Sequence, residues 1–99
     1  MQERHSKVYL VTYDHEGPSS KYAKLFDELK KSKHWWHYID STWLVVSTEG
    51  ANEIYERLQP YLDDDINLLV IEVGRDRQGW LSEKAWNWIR RHLPRGRAD

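Results

Sequence analysis

Residues 7–14 read KVYLVTYD. Val8, Tyr9, Leu10 and Val11 are β-branched, aromatic or aliphatic residues that suit a buried, pleated strand. Asp14 does not suit one, and His15-Glu16-Gly17-Pro18 holds the breakers that end a strand. The stretch therefore reads as a first strand over 7–13 that delivers a carboxylate, Asp14, to the rim of a sheet. The rest of the chain supplies the partners of that strand.

Gly17-Pro18-Ser19-Ser20 reads as a turn with capping residues at its end. A helix over about 20–32 follows, with Tyr22, Leu25, Phe26 and Leu29 on one apolar stripe and lysines on the other face. Residues 35–48, WWHYIDSTWLVVST, are too long for one strand, and Asp40-Ser41 in their middle suits a tight turn. The spacing predicts strands at about 35–39 and 42–47. A second helix over about 50–59 takes Thr48 as N-cap and turns Ile54, Tyr55 and Leu58 inward. Pro60 would break its hydrogen-bond ladder. Residues 63–65, all aspartate, form an acidic loop that reads as solvated surface. A fourth strand spans about 67–73, then a polar loop 74–79. The last helix, about 82–93, takes Ser82 as N-cap and places Ala85, Trp86, Ile89 and Leu93 on one face. Residues 1–6 and 94–99 read as frayed ends.

The order is βαββαβ followed by a helix. With right-handed crossovers, the simplest packing is an α+β, ferredoxin-like sandwich. It is a four-stranded antiparallel sheet of order 4-1-3-2 with two helices on one face. In this topology Asp14, the Asp40-Ser41 turn, the 63–65 loop and the start of the first helix share one rim. Clustered carboxylates suit a hard cation such as Mg²⁺, with Asp14 and Asp40 as ligands and Asp65 nearby. A cation held there would activate water for phosphodiester cleavage. The alternative is that both residues are turn formers that bond their own backbone.

Strand alternation adds a second inference. Val8 and Leu10 oppose Tyr9, Val11 and Tyr13. Leu44 and Val46 oppose Trp43 and Val45. Leu68 and Val70 oppose Leu69, Ile71 and Val73. Both faces of the sheet are apolar, and two helices cover one. The last helix, a second copy of the chain, or both must cover the other.

With 99 residues the chain makes a single domain. At this size roughly 65% of the unfolded surface can be buried, enough for a modest core without staples. The absence of Cys excludes disulfides and thiolate metal sites, and fits a reducing compartment. The charged start, MQERHSK, and the shortness of every apolar run predict neither a signal peptide nor a membrane span, hence a soluble cytoplasmic protein. A net charge of −1 gives no general electrostatic case for nucleic acid. Arg90, Arg91, Arg95 and Arg97 nevertheless cluster near the end. Six Trp and six Tyr against one Phe suggest more apolar surface than one small core absorbs.

The five histidines lack metal-ligand spacing. His15 falls at the Asp14 rim, as a base, a ligand or an ordinary loop residue, with His34 and His37 at the opposite end. Trp35-Trp36 opens an edge strand, to plug a core edge, to enter an interface or to stack bases. No nucleophile elbow, Gly-rich phosphate loop or Walker motif is present.

A first strand ending in Tyr-Asp, a helix, and a paired-strand segment with Ser-Thr-Trp in place of the usual Ser-Val-Phe together carry a resemblance. Over about residues 8–73 the chain resembles the small ferredoxin-fold subunit of CRISPR spacer acquisition and its toxin-type ribonuclease relatives. It is similar above all to a SinR-like branch of short bacterial proteins that share Trp-Trp-His…Ser-Thr-Trp-Leu-Val. The resemblance implies a homodimer with facing sheets. It also implies a divalent metal held by the strand-one Asp, here Asp14, and a metal-dependent endonuclease or a DNA-bridging role. The chain departs from the pattern in three ways: His-Glu-Gly-Pro after Asp14, Leu44 where a Glu often stands, and a surface that is not basic. Those departures point to the alternative, a non-catalytic interaction dimer.

Overall fold

In the computed structural model, which describes residues 5–95, the first strand is longer than its sequence suggests. β1 (Lys7–His15) continues through Asp14 and His15, which pair with Asn67 and Ile66 of β4 (Ile66–Glu72). Glu16 N–H then donates to Asp65 O at 3.0 Å. A neighbouring strand that satisfies the backbone outweighs the poor strand preference of Asp and His. The turn comes at Gly17, whose φ of 83° lies in the region glycine tolerates.

The first helix is shorter than predicted. Ser19–Tyr22 form a 3-10 turn and α1 spans Ala23–Leu29. Beyond it Lys31 N–H donates to Glu28 O and Ser32 N–H to Leu29 O, so the backbone tightens through 32 before the chain enters β2 (His34–Ile39). β3 (Thr42–Ser47) returns after the Asp40-Ser41 turn, as predicted.

α2 (Ala51–Leu58) starts after Gly50 rather than Thr48. Ser47 Oγ accepts from Glu49 N–H at 3.0 Å, which bends the chain at Thr48 and delays the helix. Gly50 N–H donates to Glu53 Oε1 at 3.1 Å in place of the expected cap. Ile54 and Leu58 are fully buried, but Tyr55 is exposed, because one step around the helix takes it off the Ile54–Leu58 stripe. Pro60 falls in a 3-10 turn, Gln59–Tyr61, that leads out of the helix. α3 (Glu83–His92) begins as predicted, with Ser82 Oγ accepting from Ala85 N–H at 3.2 Å.

The strands form one antiparallel sheet of order β2-β3-β1-β4, the ferredoxin-like α+β arrangement with an added C-terminal helix. β1 faces β3 with Val8 opposite Val46 and Val11 opposite Trp43. Two cores lie on its two sides. On the first face Tyr9, Val11, Tyr13, Trp43 and Val45 pack against Tyr22, Leu25, Leu29, Ile54 and Leu58. On the second, Val8, Trp36, Leu44 and Val46 pack against Ala85 and Ile89 of α3, and Trp36 Nε1–H donates to Ala85 O at 3.2 Å. Fully burying side chains of this size contributes roughly 1.5–3 kcal/mol each. Of the expected frayed ends, 1–4 and 96–99 lie outside the described residues, as does Arg97 of the arginine cluster.

Candidate functional site

Asp14 follows the alternation of its strand. It shares the second face with Val8, Leu10 and Thr12, opposite the tyrosines of β1. α3 covers the Val8, Leu44 and Trp36 end of that face and leaves the other end open. The open part holds Leu69 (54% exposed) and Ile71 (51%) on β4, and Tyr38 (51%) and Ile39 (45%) on β2. Thr12 and Thr42 lie side by side between them, their hydroxyl oxygens 3.2 Å apart. Thr12, Asp14, Asn67 and Leu69 line a shallow depression of about 270 Å³ at the rim. The Asp14 carboxylate is exposed and takes no hydrogen bond or ion pair from any described residue.

Asp40 sits at the same end of the sheet, but its contacts run to the first face. Its carbonyl accepts from the Tyr13 hydroxyl at 3.2 Å and lies 2.8 Å from His37 Nε2. The Tyr13 hydroxyl also accepts from Trp43 Nε1–H at 3.1 Å. Burial raises the Tyr13 pKa, with the Asp40 charge adding to it. His37, predicted at the opposite end, thus reaches the rim and stacks on Trp43 at 3.9 Å between ring centroids.

His15 is not a loop residue. It ends β1 on the first face, half-buried between Tyr13 and Tyr22, with ring centroids 6.0 and 5.1 Å away. It and Asp14 therefore address opposite sides of the sheet.

The acidic loop is partnered rather than merely solvated. Lys21 Nζ lies 3.0 Å from Asp63 Oδ2 and 2.8 Å from Asp65 Oδ2. The Tyr22 hydroxyl donates to Asp63 Oδ1 at 2.9 Å. Asp65 and Asp63 hold Lys21 charged well above its ordinary range. Lys21, together with the Asp65 N–H, holds the Asp63 carboxyl below its own. The cause is topological: β4 enters the sheet beside the end of β1, which brings the loop before it against the 3-10 turn after β1. A larger hollow of about 580 Å³, between that turn and Tyr61, has this tied Lys21 in its wall.

Among the described residues, no three His, Cys, Asp or Glu converge as a cation cage. Within one chain the Asp14 carboxylate stays free for an outside partner, at the same end of the sheet as the Asp40 turn.

Two features escaped sequence reasoning. Trp80 is 99% exposed and belongs to no apolar stripe, so periodicity could not single it out. His34 and His92, from β2 and α3, meet with ring centroids 4.6 Å apart, a contact set by helix docking rather than spacing. Trp35-Trp36 divides: Trp36 plugs the second core, while Trp35 stays at the edge, 5.5 Å from the Trp43 ring. Among the described residues no helix is long and apolar enough to cross a membrane. Comparison with known proteins found no matching family model, no matching curated protein and no matching solved structure.

Proposed function

We propose that this protein is a homodimeric interaction module whose two copies join over the open part of the second sheet face. The observation that supports it is the half-exposed group Leu69, Ile71, Tyr38 and Ile39 on a face that α3 only partly covers. Exposed apolar strand surface of this kind marks an interaction site. An isologous contact uses one patch twice, so a single surface suffices.

A second reading rests on Asp14. Its carboxylate borders the same open patch, so a dimer formed there has one Asp14 from each copy along its contact. In that reading both would be oxygen ligands for Mg²⁺. The ion would activate water for cleavage of an RNA or DNA phosphodiester. The resemblance to the CRISPR spacer-acquisition subunit and the toxin-type ribonucleases favours it. The near-neutral charge, and the lack of three converging His, Cys, Asp or Glu among the described residues, favour the module without catalysis.

The readings separate in one set of measurements. Light scattering across micromolar concentrations is expected to give a dimer, and Ile71→Lys a monomer with an unchanged far-UV spectrum. A wild-type monomer at every concentration would refute the dimer. Chelator-sensitive cleavage that disappears in Asp14→Ala selects the enzyme. The same rate in wild type and Asp14→Ala removes Asp14 from catalysis.

A further inference from the structure

Trp80 is the most exposed large hydrophobic side chain among the described residues. Its neighbours in sequence are not free. Leu81 packs into the second core, and Gly79 lies close to the Trp86 ring of α3. Trp80 is thus held on the α3 side of the sheet, the side of the open patch, with its indole turned out to solvent. An aromatic side chain of this kind supplies about 150–250 Å² of contact surface, and a free one is a natural anchor for an interface.

The same side of the molecule carries a feature with the opposite chemistry. The depression of about 270 Å³ between β1 and β4 is lined by Thr12, Tyr13, Asp14, Asn67, Leu68 and Leu69, with Leu69 its exposed apolar side chain on this face and Asp14 at its rim. An indole N–H only donates and a carboxylate only accepts. Neither group has a hydrogen-bond partner among the described residues.

We infer that Trp80 of one copy seats its ring on Leu69 in the depression of a second copy and donates its indole N–H to the Asp14 carboxylate there. The inference rests on the homodimer reading and names the contact that builds it. By two-fold symmetry the contact occurs twice, and each copy gives a Trp and receives one. The surface available is of the right order. A standard interface takes about a tenth of a small protein's surface, roughly 700 Å² of the 7188 Å² here. Trp80 with the half-exposed Leu69, Ile71, Tyr38 and Ile39 supplies most of that, and the threonines and Asn67 between them extend it. The arrangement also gives Asp14 a role that needs no metal.

The test is sedimentation equilibrium on the full chain and its variants. Trp80 and Asp14 are exposed, so the far-UV circular dichroism of each variant should match wild type. Trp80→Ala is expected to weaken the dimer by about thirtyfold or more. Trp80→Phe keeps the ring and removes the donor, and Asp14→Ala removes the acceptor. Each should weaken association by roughly three- to tenfold, and the double variant by no more than the larger single effect. If Ile71→Lys breaks the dimer while both Trp80 variants associate like wild type, the Trp80 contact is refuted and the homodimer stands. Fully additive effects of Trp80→Phe and Asp14→Ala refute the hydrogen bond between them. A wild-type monomer refutes both proposals, including one whose Trp80-dependent fluorescence is quenched by single-stranded oligonucleotide.

Discussion

His92 shows how a side chain can be set against its own position in the chain. The last turn of a helix favours a cation, and Arg90 and Arg91 stand there with it. The His92 imidazole, however, packs against Trp88, with ring centroids 4.3 Å apart, and against His34. Burial lowers its pKa from the ordinary 6.5, and the His34 and Arg91 charges lower it further. Lys7, Val8, Glu72 and Val73 line the hollow beside it, with Glu72 its one acid, 3.8 Å from Lys7 Nζ. Between the lowered value and 6.5 the unfolded chain binds more protons than the folded one, so stability rises with pH. The contribution is complete above about 6.5 and is lost as pH falls through the folded value. Melting temperature is therefore expected to decline as pH drops from 7 toward 5, and His92→Gln should flatten that part of the curve. The Asp63 contribution has the same direction but lies lower. It is present above the ordinary carboxyl value of 3.8 and lost below it, and it persists in the His92 variant. An unchanged pH profile in His92→Gln would remove the histidine from this account.

At the scale of elements, α3 depends on its cap. Its packing on the second face comes through Ala85 and Ile89, four residues apart, and its start is set by the Ser82–Ala85 hydrogen bond. Ser82→Ala is expected to cost about 1 kcal/mol, a fall of roughly 4–8 °C in melting temperature for a domain of this size. Thermal unfolding by circular dichroism measures it, and Ser82→Asp, which caps equally well, should restore it. Elements read well from sequence where periodicity and end signals agreed. In β3 the alternation of Trp43 to Val46 and the turn before it left one solution. In α3, Ser82 and the 85–89 stripe did the same. Elements read poorly where their ends depended on neighbours. β1 ran on to His15 because β4 lay beside it, and α2 started late because Ser47 captured the Glu49 N–H.

For the molecule as a whole, a sheet with two apolar faces needs two covers. Arg57 locks the helices of the first, bridging Glu49 at 2.9 Å and Glu28 at 3.2 Å. Among the described residues the second cover is α3 with Leu81 before it, and it is incomplete. A chain ending at Gly79 uncovers Val8, Trp36, Leu44 and Val46 together. At roughly 1.5–3 kcal/mol for each side chain, the loss rivals the whole stability of a small domain, about 5–15 kcal/mol. Such a chain is expected to lose its cooperative urea transition and near-UV signal and to bind a hydrophobic dye. A cooperative transition at the wild-type midpoint would show that the second core contributes little. The Asp14 rim was legible in part at this scale. Strand direction placed Asp14 and Asp40 at one end, while the face that Asp14 takes followed only from the continuation of β1 beside β4. The partners of Asp63 and Asp65, and the side to which Asp40 turns, were not legible. They depend on how far a loop reaches across the sheet edge.

The sequence by itself determined the order of elements and the sidedness of β1, β3 and β4, and with the right-handed crossover rule the sheet order. Element order and sidedness follow from covalent spacing, because 2.0- and 3.6-residue periods repeat along the chain whatever surrounds it. Only the tertiary structure decided which groups meet. It tied Lys21 to the aspartate loop and sandwiched His15 between tyrosines. It also spread α3 over part of a face and left Trp80 and the Asp14 depression uncovered on one side. Such convergences are set by distances between elements far apart in sequence, and no local pattern encodes them.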